Sequence, residues 1–273
     1  MKPTVSTLII PAAGLGTRLR PITYVYPKEL VRLVDKPVCF YLLAEAYLAG
    51  IRQVIFVIHE DNLMTSEFFN SPDAENLLAE FPGLEVSFVE TDERNGDGQA
   101  VLEAERFLSG QNAFAVSMGD LVTLPGTSIL KELVDAYAVN STPIISVEEV
   151  AREKTNQYGI ICGTKLDAMR YQVDSIVEKP KPEEAPSTLA MTGKYILTPD
   201  IFEDLKEFEE LNEGELKLAH ALNRFAKRSK LEALKCKTPH FDTGTKHSLL
   251  ETELRFSLEH PELQEIAKRI LGR

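Results

Sequence analysis

The amino-acid sequence predicts an α/β fold with a mixed, mainly parallel central sheet that is covered by helices on both faces. First, short apolar runs rich in β-branched residues alternate with segments of helical period through the N-terminal half. Second, most of those runs are continuously apolar, which is typical of a sheet buried on both faces, whereas Leu84–Glu90 alternates. Third, the C-terminal half has a less regular order of strands and helices, which favours a mixed sheet.

The N-terminal half is predicted to begin with a buried strand, because Val5–Ile10 is apolar and turn residues follow it. A helix is predicted over Pro37–Ala49, where apolar residues have helical spacing and Gly50 can end the helix. Gln53–His59 is continuous and β-branched, which indicates a second buried strand. The predicted elements that follow are short helices or loops over 61–81, a strand at Leu84–Glu90, a helix at Gly98–Leu108, a strand at Ala113–Met118 and a helix at Ser128–Val139.

The C-terminal half is predicted to contain further strands and helices without a regular alternation. The predicted strands are Pro143–Val150, Tyr158–Cys162, Asp174–Glu178, Gly193–Leu197 and Leu231–Lys235. The predicted helices lie near Asp200–Phe208, Glu215–Ser229, Lys246–Leu258 and Glu262–Leu271. No repeat, low-complexity tract or flexible linker divides the sequence, so we expect residues 1–273 to form a single domain.

Charge and composition exclude several classes of partner. The formal net charge of −12 argues against binding to nucleic acid or to an anionic membrane surface. The three cysteines form no CxxC pair and no disulfide framework. No apolar run approaches the ~18 residues of a membrane span, and the N-terminal residues make a poor signal peptide. We therefore expect a cytoplasmic protein.

The first strand leads into a glycine-containing turn with two cations behind it, in the stretch TLIIPAAGLGTRLRPITYVYPKEL. Gly14 and Gly16 carry no side chains, so backbone N–H groups can approach a ligand closely. Arg18 can hold phosphate oxygens in a bidentate fork, and Lys28 adds a second positive charge. The stretch therefore predicts a polyphosphate-binding loop. It matches neither the Rossmann fingerprint, whose third glycine is replaced by Leu19, nor the Walker A loop.

Six motifs in order resemble those of the bacterial sugar-1-phosphate nucleotidylyltransferases, and among these most resemble the UTP–glucose-1-phosphate uridylyltransferases. They are AAGLGTRLRPITYVYPKEL with the following LVDKP, NGDGQAV, SMGDLV, QYGII, VEKPKPEEAPSTLAMTGKYIL and FDTGT. The resemblance implies a Rossmann-like nucleotidyltransferase (GT-A-like) three-layer sandwich. It also implies that residues 1–140 mainly bind nucleotide, and that residues 141–273 mainly bind sugar phosphate and end in helices.

The resemblance implies a magnesium-dependent transfer of a nucleotidyl group from UTP to glucose 1-phosphate, giving UDP-glucose and pyrophosphate. Thymidylyl or cytidylyl transfer to a hexose 1-phosphate is an alternative, and so is a regulator that binds nucleotide-sugar without catalysis. A homo-oligomer, either a dimer or a tetramer, is the implied assembly.

The resemblance also assigns site residues. The implied catalytic residues are Arg18, Lys28, Asp120 and Lys179. The implied nucleotide-binding residues are Ala12, Ala13, Gly14, Gly16, Thr17, Gly98 and Gln99, and the sugar-phosphate-binding residues are Gly159, Glu178, Lys179 and Gly193. Asp120 and Asp242 are the implied metal ligands, because two carboxylates completed by phosphate oxygens and waters suit Mg²⁺. Taken singly, each aspartate could instead be a helix cap or an Asx turn.

The sequence departs from the family pattern at several places. Tyr24 stands where the family's uridylyltransferases usually have a lysine, so one cation near the triphosphate is missing. Thr91 stands where a base-reading glutamine is expected, which puts uracil selectivity in doubt. His220 replaces an aspartate in ELKLAHAL, and we expect it to have a structural or subunit-contact role. The segment between Phe68 and Leu84 is also short for this family.

Overall fold

The computed structural model describes residues 5–61, 63–211 and 214–272. Its strands are β1 (Thr7–Pro11), β2 (Arg32–Leu33), β3 (Lys36–Pro37), β4 (Gln53–His59), β5 (Glu85–Thr91), β6 (Phe114–Ser117), β7 (Leu121–Val122), β8 (Ile144–Glu149), β9 (Gly159–Lys165), β10 (Arg170–Glu178), β11 (Leu189–Leu197), β12 (Glu232–Lys235) and β13 (Phe241–Asp242). Its α-helices are α1 (Val38–Leu48), α2 (Met64–Phe69), α3 (Pro72–Leu78), α4 (Asp97–Glu103), α5 (Ile129–Asn140), α6 (Ile201–Leu211), α7 (Leu218–Arg228), α8 (Lys246–Glu259) and α9 (Gln264–Leu271). In these ranges, no helix has the length and apolar character that a membrane span needs.

The central sheet has nine strands in the order β5-β4-β1-β6-β11-β8-β12-β10-β9. Strands β5, β4, β1 and β6 are all parallel, as the alternation of strands and helices predicts. Strand β11 then runs antiparallel to both β6 and β8, and β10 runs antiparallel to β12 and β9. The predicted mixed sheet is therefore present, but parallel pairing prevails only in its N-terminal half. Strand order of this kind depends on which distant segments pair, and no local pattern encodes it.

Two apolar cores lie on opposite faces of the sheet. Along β1, Leu8 and Ile10 belong to one core and Ile9 to the other, as the two-residue repeat of a strand requires. The first core includes residues of α1, α5 and α8, and the second includes residues of α4, α6 and α7. Helices therefore cover both faces, and the architecture is a three-layer sandwich.

Most predicted elements are present, and the differences in their bounds have physical causes. Strand β11 begins at Leu189, before the predicted start, and its register shifts between Met191 and Tyr195. Gly193 lies inside that irregularity at φ +70°, which glycine adopts readily. Helix α4 ends at Glu103, so only the first part of the predicted helix is α-helical.

A buried ion pair lies beneath the sheet edge where β6 ends. Nζ of Lys194 is 2.9 Å from Oε2 of Glu45, and both side chains are at most 1% exposed. The ammonium also donates to Oγ of Ser117 at 2.9 Å and to the Leu121 carbonyl at 2.8 Å. The other Glu45 oxygen accepts the first backbone N–H groups of α5. The pair thus connects β11, α1 and α5 to the segment that follows β6.

Candidate active site

The candidate site lies where β1 and β6 end. Because the two strands are parallel and adjacent, the segments that follow them meet at one edge of the sheet. The antiparallel β11 reaches the same place, since the Gly193 carbonyl accepts the N–H of Met118 at 2.9 Å. A Cβ on Gly193 would lie 2.9 Å from Cγ of Met118, so this close packing requires glycine.

The loop after β1 is tightly folded and places Lys28 toward the end of β6. Gly16 has φ +59°, and a Cβ there would lie 2.9 Å from Cγ2 of Thr23. The Thr23 hydroxyl donates to the Gly16 carbonyl at 2.8 Å. The Lys28 side chain passes the loop and reaches Gly119, where a Cβ would lie 3.6 Å from its Cε. The Lys28 side chain therefore lies between the ends of β1 and β6.

A cavity of about 310 Å³ opens beside this loop, and we call it the nucleotide cavity. It is lined by Pro11, Ala13, Gly14, Leu15, Lys28, Arg94, Gly96, Asp97, Ala100, Met118 and Glu215. Its walls are thus the predicted glycine loop and the start of α4. Ala12 is buried behind it, with its N–H donating to the Val57 carbonyl at 2.8 Å. Thr17 is exposed at the start of the short 3-10 segment that carries Arg18.

Asp120 and Asp242, the metal ligands that the resemblance implies, converge on one point beside Arg18. A Cβ on Gly244 would lie 2.5 Å from Oδ2 of Asp120, 2.9 Å from Oδ1 of Asp242 and 3.0 Å from Nη2 of Arg18. The backbone fixes this arrangement, because β13 pairs with β7 and the Thr243 N–H donates to the Asp120 carbonyl at 2.8 Å. Because glycine has no side chain, a space remains at Gly244, and the carboxylates of Asp120 and Asp242 border it.

The electrostatics of this space favour a cation. Burial raises the pKa of the Asp242 carboxyl; the Gly244 N–H opposes that rise, and nearby Asp120 adds to it. Arg18 is 3.4 Å from Asp120, but its side chain is 65% exposed, so this contact compensates little. Among the described residues, no group of three or more histidine, cysteine or acidic side chains could hold a metal. Two carboxylate ligands in an open space fit Mg²⁺, which keeps several waters and uses phosphate oxygens.

Three of the four predicted sugar-phosphate residues, Gly159, Glu178 and Lys179, lie together at the end of β10, whereas Gly193 lies in β11 beside Met118. Glu178 pairs with Gly159 in the β10–β9 ladder, and a Cβ on Gly159 would lie 3.2 Å from Oε2 of Glu178. Nζ of Lys179 is 3.6 Å from Oε1 of Glu178. Lys179 has φ +48°, a left-handed conformation that a lysine rarely adopts. Its N–H bonds to the Tyr158 carbonyl at 3.0 Å, which holds this conformation. Such strain is commonly stored at functional sites.

Two predicted nucleotide-binding residues, Gly98 and Gln99, do not line the nucleotide cavity, although their neighbours Asp97 and Ala100 do. Gln99 is 4% exposed on α4, and its amide donates to Glu103 at 3.2 Å. Gly98 is buried, and its N–H donates to the Leu216 carbonyl at 2.8 Å. Close packing therefore explains this glycine, since a Cβ there would lie 2.7 Å from that carbonyl oxygen.

The departures from the family pattern have distinct surroundings. Tyr24 is 71% exposed, with the Arg20 guanidinium 5.1 Å from its ring centre. Thr91 is buried at the end of β5, where its hydroxyl accepts the Glu93 N–H at 3.0 Å. The His220 ring packs 5.1 Å from the Phe208 ring. This packing is compatible with the structural role predicted for His220.

Sequence reasoning did not assign Asp97 a role, although it lines the nucleotide cavity. Its Oδ1 accepts the Leu218 N–H at 2.9 Å, at the start of α7. Burial raises the pKa of the Asp97 carboxyl. The hydrogen bond from the Leu218 N–H lowers this pKa, and the negative charges of Glu178 and Glu215 raise it further. Asp97 therefore lines the nucleotide cavity and at the same time anchors the start of α7. Its position between two glycines was the available signal.

The chain matches a known family over most of its length. The family model described as nucleotidyl transferase matches residues 7–257. A UTP–glucose-1-phosphate uridylyltransferase of Staphylococcus epidermidis is 32% identical over 277 residues, covering 96% of each chain. The Bacillus subtilis protein of the same name is 35% identical over 271 residues, covering 94% of this chain and 92% of that one.

Solved structures match in fold as well. A UDP-glucose pyrophosphorylase complexed with UDP-glucose has a TM-score of 0.85 and 34% identity, over 94% of this chain and 100% of the other. A UTP-bound UGPase from Acinetobacter baumannii has a TM-score of 0.84 and 29% identity, over 99% of each chain. The predicted resemblance is therefore confirmed in sequence and in structure.

Proposed function

The chain belongs to the nucleotidyl transferase family, and on that premise we propose how its cleft performs uridylyl transfer. The protein is an enzyme that converts UTP and glucose 1-phosphate into UDP-glucose and pyrophosphate. The observation that carries the site assignment is the convergence of Asp120, Asp242 and Arg18 around Gly244.

In this reaction, a phosphate oxygen of glucose 1-phosphate attacks the α-phosphorus of UTP. A new P–O bond forms, the bond between the α-phosphorus and its bridging oxygen breaks, and pyrophosphate leaves with that electron pair. Little covalent chemistry is left to the protein, so catalysis depends on positioning and on neutralising charge. Lys28 and Arg18 lie where they can hold the triphosphate against the glycine loop.

We infer that Asp120 and Asp242 hold Mg²⁺ in the space beside Gly244. A bound divalent ion would neutralise phosphate charge and polarise the reacting phosphoryl group. The two carboxylates and Arg18 would also orient the triphosphate relative to Lys28. The backbone of Asp242 is held in place by α8, because the Thr252 hydroxyl donates to the Asp242 carbonyl at 2.8 Å.

The sugar phosphate is proposed to bind at the end of β10. Lys179 would hold its phosphate, and Glu178 would accept hydrogen bonds from sugar hydroxyls. Gly159 and Gly193 are proposed to offer backbone groups to the sugar. Both are closely packed, because a Cβ on Gly159 would meet the Met191 side chain and a Cβ on Gly193 would meet the Leu121 and Met118 side chains. The base would lie in the nucleotide cavity, against the backbone of Ala13 and Gly14. A cytoplasmic location and a homo-oligomeric assembly remain predictions.

Pyrophosphate release with UTP, dTTP, CTP and ATP, each with glucose 1-phosphate and Mg²⁺, tests the assignment. We expect UTP to give the highest kcat/KM, even though Thr91 is buried and bonded to its own backbone neighbour. That result would mean that uracil is read by other groups of the nucleotide cavity. A preference for dTTP or CTP would keep the reaction and change the nucleotide, whereas no release with any nucleotide would contradict the enzyme assignment.

A further inference from the structure

Lys217 lies at the junction of the nucleotide cavity and the sugar-phosphate residues. Its Nζ is 3.5 Å from Oε1 of Glu178 and 3.7 Å from Oε2 of Glu215. The Lys179 ammonium approaches the same Glu178 oxygen at 3.6 Å. Two ammonium groups from distant parts of the chain thus share one carboxylate oxygen. Glu215 is 60% exposed, so solvent screening weakens its contact with the Lys217 ammonium.

The backbone on both sides of Lys217 is fixed to the nucleotide cavity. Leu216 exchanges two backbone hydrogen bonds with the 95–98 segment, each 2.8 Å long. The Leu218 N–H donates to the Asp97 carboxylate at 2.9 Å. The Lys217 side chain therefore starts from a defined position, and its ammonium is directed at Glu178.

The local sequence rules disfavour a lysine at this position. Lys217 is the N-cap of α7, and its side chain makes no capping hydrogen bond there. Serine, threonine, aspartate or asparagine is preferred at an N-cap, and the helix dipole opposes a cation at this end. Residues that break local rules in folded proteins concentrate at functional sites. The combination of this position with the Glu178 contact indicates a role in the cleft.

We propose that Lys217 is a second binding residue for the phosphate of the sugar 1-phosphate, acting beside Lys179; this inference rests on the proposed function. In the free protein, both ammonium groups neutralise Glu178. When sugar hydroxyls donate to Glu178, the Lys217 ammonium contacts the phosphate, which carries more charge than the carboxylate. The Lys217 side chain is 27% exposed, so it is accessible to a ligand yet partly desolvated. Charge-assisted hydrogen bonds are stronger in such surroundings than at an open surface.

The proposal predicts a selective defect in the Lys217→Gln variant, which loses the charge but keeps a similar side-chain length. We expect its KM for glucose 1-phosphate to rise roughly tenfold, as for loss of one hydrogen bond to a charged group. The KM for UTP should stay within about twofold. Lys217→Arg should recover most of the loss, because it restores the charge. The matched control is Lys206→Gln, which removes a lysine paired with Glu105 on the surface of α6 at 2.7 Å.

Steady-state kinetics and calorimetry together make the outcomes distinguishable. The calorimetric titration adds glucose 1-phosphate to each protein loaded with a UTP analogue whose α–β bridge is a methylene, so that no turnover occurs. If the wild type reacts and Lys217→Gln changes both KM values equally, or neither, the role of Lys217 is overturned and the proposed function stands. If the wild type does not react but binds glucose 1-phosphate more tightly than Lys217→Gln, the phosphate role is supported and the function fails. A wild type that neither reacts nor binds overturns both.

Discussion

Replacing Asp242 by asparagine is expected to lower kcat/KM for pyrophosphate release by roughly 10²–10³-fold, because one of the two proposed cation ligands loses its charge. The fold should be unaffected, since the Asp120 and Asp242 carbonyls keep their hydrogen bonds and the asparagine oxygen can still accept the Gly244 N–H. The melting temperature without metal should stay constant or rise slightly, because a repulsive carboxylate pair is relieved. Mg²⁺ with UTP should raise the melting temperature of the wild type and not of the variant.

Two further variants separate charge from space at the same site. Asp120→Asn should reproduce the loss, and the double variant should be little worse than either single one, because the two residues act as a unit. Gly244→Ala keeps both charges but fills the space between the carboxylates. We expect it to lower the affinity for Mg²⁺, and with it the activity, with little effect on stability. Asp135→Asn, which alters an exposed pair with Lys131, is the control. Full activity in Gly244→Ala would show that no ion occupies this space.

Replacing Lys194 by methionine is expected to lower the free energy of unfolding by about 3–5 kcal/mol, the usual cost of leaving one member of a buried ion pair unpaired. Glu45 would remain 1% exposed with no cation beside it. Urea unfolding measures this loss. Activity should fall too, because Lys194 also holds the Leu121 carbonyl next to Asp120.

The double variant Glu45→Gln with Lys194→Met tests the pairing itself. A glutamine oxygen can still accept the N–H groups at the start of α5, whereas the unpaired charge is gone. We therefore expect the double variant to be more stable than Lys194→Met alone. Additive losses of stability would contradict a direct interaction between the two side chains.

The position of the candidate site in the sheet could be predicted because its signals are local. A buried strand followed by glycines and a cation marks the loop at Arg18, and an apolar strand followed by Gly119 marks Asp120. The strand predicted over Gln53–His59 has the same bounds as β4. Its inner residues are continuously apolar and mostly β-branched, and such residues favour a strand over a helix.

What could not be predicted depends on contacts between distant segments. Lys194 resembles an exposed strand residue in the sequence, and only its contact with Glu45 makes its burial possible. Gln99 is part of the NGDGQAV motif, which suggests a contact with the base, but its side chain is buried on α4 and donates to Glu103. The role proposed for Lys217 depends on the backbone hydrogen bonds between Leu216 and the 95–98 segment, which no spacing in the sequence reveals.

The identity of the products distinguishes uridylyl transfer to glucose 1-phosphate from simple hydrolysis of UTP. Wild-type protein incubated with UTP, glucose 1-phosphate and Mg²⁺ is followed by phosphorus NMR, with Asp242→Asn and a sample containing EDTA in parallel. We expect UDP-glucose and pyrophosphate in equal amounts in the first sample and almost none in the other two. UTP consumed to UDP or UMP without UDP-glucose, or equal product in all three samples, would contradict this expectation.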